Sequence, residues 1–536
     1  MLTPTAPRPA RRKPFLRHTL PLAIALVVTL PGCGGRTGSR LPIAAAVAPR
    51  PTAGPLVLAS PDARWFTERG SGRTVLLSGS HTWNTFQDWG LTDPPPELDY
   101  PAFLQFLTAH GHNFFRLYVW EQAAWFPGTA AKVVIAPLPY LRTGPGRALD
   151  GGLRFDLTRF NPEYFRRLHE RVRAAGARGV YVSVMLFDGW SIELKGQKTG
   201  NPWRGHPFNR SNNINGLDGD SNGDGEGREV HTLADSSVTA LQKAYVAKVV
   251  ETLGDLDNVL WEISNESRSE SAEWEYAMVR TVHALEAARG TPHPVGMTSA
   301  WPHGDLGNAP LFSGPADWVS PDDSPADPYM QDPPASTSRG KLVLTDTDHL
   351  WGVGGSPGWV WKSFFRGLNP IFMDPYDTPL RDKLPAWSAG SAGKPSALVP
   401  LAEWEPVRVA LGFVQAVAAR THLADLRPLG TLASSGYCLA APGREYLAYL
   451  PARAGRLHRL LAAMAPPAFH ERVTLDLTSC TGALAVEWID PARGLVQSSA
   501  AVAGGARREL HAPFAGDAIV HLCSALRDAA RPVSAR

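Results

Sequence analysis

Between residues 56 and 425 the chain alternates short apolar, β-branched runs with longer stretches of helical periodicity. The runs are Val75–Ser80, Phe114–Trp120, Val180–Phe187, Val259–Ser264, Pro294–Ser299, Trp318–Ser320, Leu342–Thr345 and Pro370–Met373. Bounded runs of this composition read as strands. The stretches Pro101–Ala109, Pro162–Ala175, Val238–Leu253, Ala272–Ala288 and Trp359–Arg366 repeat apolar positions at helical spacing. Strand–helix alternation implies a parallel sheet, and eight repeats imply a closed (β/α)8 TIM barrel. A doubly wound open sheet is the rival, but no G-x-G-x-x-G follows the first run to supply its nucleotide turn. The long segments 121–160, 188–236 and 300–340 all follow strands, on the face where barrel sites form. Glu403–Ala424 reads as a final helix. Beyond it come short strand-like runs (Tyr446–Leu450, Val473–Leu477, Ala483–Ile489, Ala518–Cys523) broken by Gly and Pro turns. These predict a small C-terminal β-sandwich. The expected order is an export signal over 1–33, a linker over 34–55, the barrel over 56–425 and the sandwich over 426–536.

The N-terminal segment has its own pattern. Arg8, Arg11, Arg12, Lys13 and Arg17 precede the apolar run Leu20–Leu30. That run is too short for a bilayer span and suits a signal peptide, which places the protein outside the cytoplasm. Leu30-Pro31-Gly32-Cys33 resembles a bacterial lipobox, with Pro31 a departure from its small residue. Lipid attachment at Cys33 is the one membrane contact expected. The chain of 536 residues has a formal net charge of +3, and residues 1–33 hold five basic groups and no acids. The remainder is therefore near neutral, which disfavours a phosphate-binding groove and a nucleic-acid partner. Three cysteines remain, Cys438, Cys480 and Cys523. An oxidising compartment would permit one disulfide and one free thiol, in a pairing the spacing does not give.

Candidate chemistry sits at the ends of the runs. The fourth ends Trp261-Glu262-Ile263-Ser264-Asn265-Glu266-Ser267. There Glu266 could protonate a glycosidic oxygen while Asn265 binds the neighbouring sugar hydroxyl. The same pair could simply cap the next helix. The run resembles the W-E-x-x-N-E pattern of clan A glycoside hydrolases. That resemblance implies a second carboxylate, usually Glu, on the seventh strand and an Arg on the second strand that holds it. Here the candidates are Asp346 or Asp348, two residues apart and on one side if extended, and Arg116. A shorter Asp would leave room for a water and imply inversion. Other run ends carry groups suited to sugars, which offer apolar CH faces and many hydroxyls. They are His81, Trp83 and Asn84; Tyr118 and Trp120; Asp188 and Trp190; Trp301 and His303; Asp322; His349 and Trp351; and Asp374. Of the 17 Trp, 16 precede residue 405, so composition places the aromatic platforms in the barrel.

The pieces Gly79–Trp83, Asn113–Trp120, Asn258–Ser267 and Asp346–Trp351 together resemble apiosidase-like (DUF4038-type) barrels followed by a collagen-binding-type domain. The resemblance implies an exported O-glycosyl hydrolase acting on a carbohydrate, without an organic cofactor. A catalytically silent glycan-binding lipoprotein on the same scaffold is the alternative. Asp218-x-Asp220-x-Asn222-Gly223-x5-Glu229 fits the EF-hand loop template, with Asp224 at its seventh position. One structural Ca²⁺ pinning the third loop is expected there. Gly354-Gly355-Ser356-Pro357-Gly358 matches G-x-S-x-G, but Pro357 and the lack of a preceding strand favour an ordinary loop. His206 could line the cleft or pack the loop.

Overall fold

Eight parallel strands carry the alternation: β1 Gly79–His81, β2 Phe114–Leu117, β3 Tyr181–Asp188, β4 Val259–Asn265, β5 Val295–Thr298, β6 Trp318–Ser320, β7 Leu342–Asp346 and β8 Asn369–Met373. The structure, a computed structural model, describes residues 39–41, 51–60, 62–125, 132–195, 200–290, 292–336, 340–376, 401–452 and 471–524. The signal segment and Cys33 lie outside the described residues. Hydrogen-bonded order runs from β2 through β3, β4, β5, β6, β7 and β8 to β1. The ring closes from β1 to β2 without a ladder. Asn113 N donates to Ser78 O at 3.1 Å, and Ser78 N donates to Asn113 Oδ1 at 3.0 Å. A Cβ at Gly79 would stand 2.0 Å from Phe114 O, so the close approach of these two strands needs glycine. The result is a nearly closed (β/α)8 barrel.

Helices α1 Tyr100–Ala109, α2 Pro162–Gly176, α3 Ser236–Leu253 and α4 Ala272–Arg289 pack outside it. Asp99, Asn161 and Asp235 cap the first three, each accepting from a main-chain N–H of the first turn. Their buried faces, such as Phe103, Leu104 and Leu107 of α1, join the barrel core. Each such side chain stabilises by about 1.5–3 kcal/mol through removal from water. Further round lie α5 Ala309–Ser313, α6 Thr347–Trp351, α7 Pro357–Phe365 and α8 Glu405–Ala418.

The C-terminal strands are β9 Cys438–Ala441, β10 Glu445–Leu450, β11 Arg472–Asp476, β12 Ala483–Asp490, β13 Leu495–Ala503, β14 Arg507–His511 and β15 Ala518–Ser524. A seven-stranded antiparallel sheet contains all but β11 and β14, which pair with each other. Alternate residues face opposite ways. Leu439, Leu447, Tyr449 and Ile519 join the barrel's core, while Cys438, Tyr446, Ala448 and Val520 face Val473 and Leu475. Burial on both faces explains the uninterrupted apolar character of these strands.

Three expectations are corrected. Cys438, Cys480 and Cys523 are all free thiols, so no disulfide forms among them. Ser39–Arg40, placed in the linker by composition, pairs with β13 as an edge strand. Finally, the first apolar run is divided: Thr74–Val75 joins a separate antiparallel sheet with Leu56–Val57 and Phe66–Glu68. Among the described residues no helix is long and apolar enough to cross a membrane.

A buried charge cluster lies where the segment after α8 meets the C-terminal sheet. His521 Nε2 is 2.8 Å from Glu445 Oε1, and Nδ1 is 3.8 Å from Glu487 Oε2. His422 Nδ1 lies 2.9 Å from Glu445 Oε2, and Arg420 donates to Glu487 at 2.7 Å. Burial alone would lower His521, but the two carboxylates raise it above its usual value. A raised histidine contributes stability fully below its unfolded pKa near 6.5, and that contribution fades as pH rises through the folded value. His521→Leu should therefore cost about 1–3 kcal/mol near pH 6, by leaving Glu445 short of a partner. The gap in melting temperature should narrow by pH 9; an equal gap at both pH values refutes the pairing.

Candidate active site

Arg116, in the middle of β2, lies inside the barrel and is 3% exposed. Its Nε donates to Glu262 Oε2 at 3.0 Å and Nη2 to Glu262 Oε1 at 2.5 Å. Nη1 reaches Asp346 Oδ2 at 3.1 Å and Asp348 Oδ2 at 2.9 Å, and Nη2 also reaches Asn265 Oδ1 at 2.6 Å. One cation thus gathers the ends of β4 and β7. Burial would lower the guanidinium's pKa, but the three carboxylates raise it well above its usual value.

Asp346 and Asp348 come together by a different route from the one the extended spacing implied. The strand ends at Asp346, and α6 starts at Thr347. Asp346 caps this helix, accepting from Asp348 N at 3.0 Å. His81 Nε2 lies 2.8 Å from Asp346 Oδ2 and 3.0 Å from its Oδ1. Burial would raise Asp346, yet His81 and Arg116 hold it well below the usual carboxylate range. Asp348 is more open, with a side chain 9% exposed against 2% for Asp346. Burial, with the charge of Asp346, pushes it up to about 6 against the pull of Arg116.

Glu266 directly follows β4, in the left-handed backbone region at φ 47°. Trp190 Nε1 donates to its carboxylate, and its own N–H donates to Thr298 Oγ1 at 3.1 Å. Burial and the charge of Asp348 push Glu266 up to about 8. Both carboxyls are thus raised, and the charge of Asp348 is one cause of the rise in Glu266. Asn265 Nδ2 donates to Tyr118 Oη at 2.8 Å and to Asp188 Oδ1 at 3.3 Å. His349 bridges Asn265 Oδ1, at 3.2 Å, and Ser320 Oγ, at 2.7 Å; burial lowers the imidazole to about 3.

At the rim, Trp301 is 37% exposed and stands edge-on to His303, with ring centroids 4.8 Å apart. His303 pairs with the buried Asp322. Trp83, Trp190 and Trp351 are half-buried. Asn84, by contrast, is fully buried.

Two expected substrate contacts prove structural. Trp120 is 1% exposed, stacked on Trp89 at 5.4 Å, with Nε1 donating to Trp83 O, so it cannot serve as a platform. Asp374 follows β8 but is fully buried, and Arg408 of α8 donates to both of its oxygens, at 2.6 and 2.8 Å, as a structural ion pair. His206 packs the third loop. It stacks on Trp203 at 5.0 Å, accepts from Phe208 N and lies 3.4 Å from Glu121.

The 218–229 loop is closed by its own hydrogen bonds. Asp218 accepts from Asp220 N, Asp220 from the N–H groups of Gly223 and Gly225, and Asp224 from Glu226 N. Asn222 Nδ2 donates to Asp224 and Glu229. Among the described residues no group of three or more His, Cys, Asp or Glu is arranged to hold a metal ion.

Sequence reading missed Glu262, Glu121 and His231. Glu262 sits mid-strand, where a lone acid in an apolar run opposite a lone Arg is the usable signal. Glu121 Oε1 accepts from Asp188 N at 3.0 Å and lies 2.9 Å from His231 Nε2. His231 Nδ1 is 3.1 Å from Ser267 Oγ, which ties this pair to the residue after Glu266.

Residues 133–299 match a family model described as domain of unknown function DUF6298. This is not the apiosidase-like family that the motifs resemble. The matched stretch carries β3, β4 and Glu266. No curated protein matches the chain. Among solved structures, one described as a glycoside hydrolase is 12% identical, with a TM-score of 0.54, covering 88% of this chain and 97% of that one. A glycoside hydrolase family 5 protein from Bacteroides vulgatus is 12% identical, with a TM-score of 0.55, covering 89% and 95%. The chain shares their fold.

Proposed function

We propose that the protein hydrolyses O-glycosidic bonds, with Glu266 as proton donor and Asp348 as the ionised second carboxylate. The observation that carries this reading is geometric: Arg116 gathers Asp346 and Asp348 at the end of β7 against Asn265 of β4, the residue before Glu266, and burial raises both Glu266 and Asp348, to about 8 and about 6. Two carboxyls that their surroundings hold at different proton affinities suit an acid and its anionic partner. Glu266 gives its proton to the oxygen of the breaking bond. Asp348 supports the charge developing at the sugar carbon, and water completes the hydrolysis. Asp346, saturated by His81, Arg116 and its own helix, serves as a fixed charge that raises Asp348. Trp301 and Trp190 beside the acid offer ring faces for a sugar. The likeness to glycoside hydrolase structures supports the fold this chemistry uses. Action outside the cytoplasm, after removal of the N-terminal segment or lipid attachment at Cys33, belongs to the same proposal.

A panel of neutral oligosaccharides and aryl glycosides tests it. Wild type should cleave at least one member, with a bell-shaped pH dependence. The acidic limb should fall near 6, as Asp348 takes a proton, and the basic limb near 8, as Glu266 loses one. Cleavage that persists undiminished at pH 10, or a panel left intact, overturns the assignment. Calcium in the 218–229 loop is proposed on its spacing alone. Bound metal should raise the melting temperature in calcium over that in EDTA; equal values would leave the loop to its own hydrogen bonds.

A further inference from the structure

Among the described residues, three that are not glycine have positive φ: Glu193 at 51°, Lys195 at 44° and Glu266 at 47°. Left-handed backbone is costly for side chains of this size and persists where surrounding contacts enforce it. The three belong to one knot. Lys195 is 8% exposed, and its Nζ donates to the main-chain carbonyl of Glu266 and, at 2.7 Å, to that of Trp301. Trp301 N in turn donates to Ser267 O at 3.0 Å. Glu193 is pinned from both sides. Its N–H donates to Glu226 O at 2.8 Å, and its carboxylate accepts from Arg268 at 2.7 Å and Arg228 at 3.0 Å. Where the loop begins, a Cβ at Gly189 would stand 2.3 Å from Glu266 O, so the segment leans on the main chain of the acid. The strain on both sides of Leu194 is what turns Lys195 back under the site.

We propose that Lys195 is a positioning residue for the acid. Its buried ammonium crosslinks the main chain beneath Glu266 to that beneath Trp301, so that proton donor and aromatic rim are held as one unit. Its charge also opposes that of Asp348 at the Glu266 carboxyl. This inference rests on the glycosidase reading for its catalytic meaning, but not for the contacts themselves. The charged groups facing Lys195 are Glu266, Glu193, Asp188, Arg268 and Glu275. Those facing Glu266 are Asp348, Lys195 and Arg116, with His303 and the hydroxyl of Tyr118 also within its field. Burial lowers the ammonium to about 8, and Glu266 pulls it back up. With Lys195 uncharged, Asp348 and burial act on Glu266 with less opposition, and the acid holds its proton more tightly.

The test needs no substrate. Protein labelled with ¹³C at the glutamate carboxyls is titrated by NMR, and the Glu266 signal is assigned by its loss in Glu266→Gln. Lys195→Gln keeps an N–H donor for the two carbonyls but removes the charge. Its Glu266 midpoint should rise by about one pH unit, a tenfold gain in proton affinity. Lys195→Arg should restore the wild-type value. On an alkyl glycoside or oligosaccharide that wild type cleaves, whose departure needs the proton, Lys195→Gln should lower kcat with KM little changed, and shift the basic limb upward. Lys195→Met, lacking the donor as well, should lower kcat further. An unmoved Glu266 midpoint in folded Lys195→Gln overturns the proposal. Should wild type cleave nothing, the glycosidase reading fails, and the titration still decides what Lys195 does.

Discussion

Glu266→Gln is expected to lower kcat by about 10²–10⁴-fold on a glycoside with a poor leaving group, the usual contribution of a positioned general acid. Gln keeps the size of the side chain and can still accept from Trp190 Nε1 as Glu266 does. What it lacks is a transferable proton. The loss should therefore depend on the leaving group. A dinitrophenyl glycoside departs as a stable phenolate and needs no proton, so its hydrolysis should fall far less than that of an alkyl glycoside or an oligosaccharide. Asp348→Asn should behave differently, slowing both substrate types, because charge at the sugar carbon develops whatever leaves. The basic limb near pH 8 should vanish in Glu266→Gln, since the group responsible for it has gone. Equal losses on the dinitrophenyl and alkyl substrates would remove Glu266 from the role of acid. Retained activity on both would place the acid elsewhere.

The parts of this site legible in the sequence are those set by strand ends. A β-branched run such as Val259–Ser264 can do little but enter a sheet, and the residues that follow it must then emerge on the barrel's open face. That reasoning places Asn265, Glu266, Trp190 and Trp301 at or after strand ends, where they lie. Two features defeated that reasoning. The first is a change of element: Asp346 and Asp348 look like strand neighbours, but Asp346 ends the strand and caps a helix, which with His81 and Arg116 saturates it and leaves Asp348 more open. The second is long-range contact. Lys195 stands in a loop with no periodicity, and its partners are main-chain carbonyls 71 and 106 residues away, which no side-chain motif encodes. Trp120 shows the reverse error. It ends its run as a platform would, but the neighbouring aromatics Trp89 and Trp125 enclose it, at centroid distances of 5.4 and 5.5 Å. The hairpin Tyr140–Arg147 with Leu153–Phe160 also escaped notice, because it stands within a loop and exposes Leu149 and Leu153.

Arg116→Met should be the most damaging single change to stability. The variant keeps an apolar stem but leaves Glu262, Asp346 and Asp348 without their shared cation in the barrel interior. Removing one partner of a buried ion pair costs about 3–5 kcal/mol, because the remaining charge is neither solvated nor paired. That is a large share of the 5–15 kcal/mol that holds a typical domain folded. Arg116→Lys should recover only part of the loss. An ammonium is a point charge and cannot reproduce the fork that spans Glu262 on one side and Asp346 on the other. The direction with pH follows from Asp346, whose folded pKa is depressed. Its contribution in wild type is present above the unfolded value near 3.9 and is lost as pH falls through the folded one. In the variant the carboxylates are better tolerated when protonated. That protonation in the variant acts first, so the difference in urea midpoint between wild type and Arg116→Met should be widest at pH 7 and shrink toward pH 4; the wild-type contribution of Asp346 falls away only below that range. A gap that stays constant over that range would mean the loss comes from packing of the side chain. Coincident midpoints at pH 7 would show that the charge cluster does not hold the barrel together.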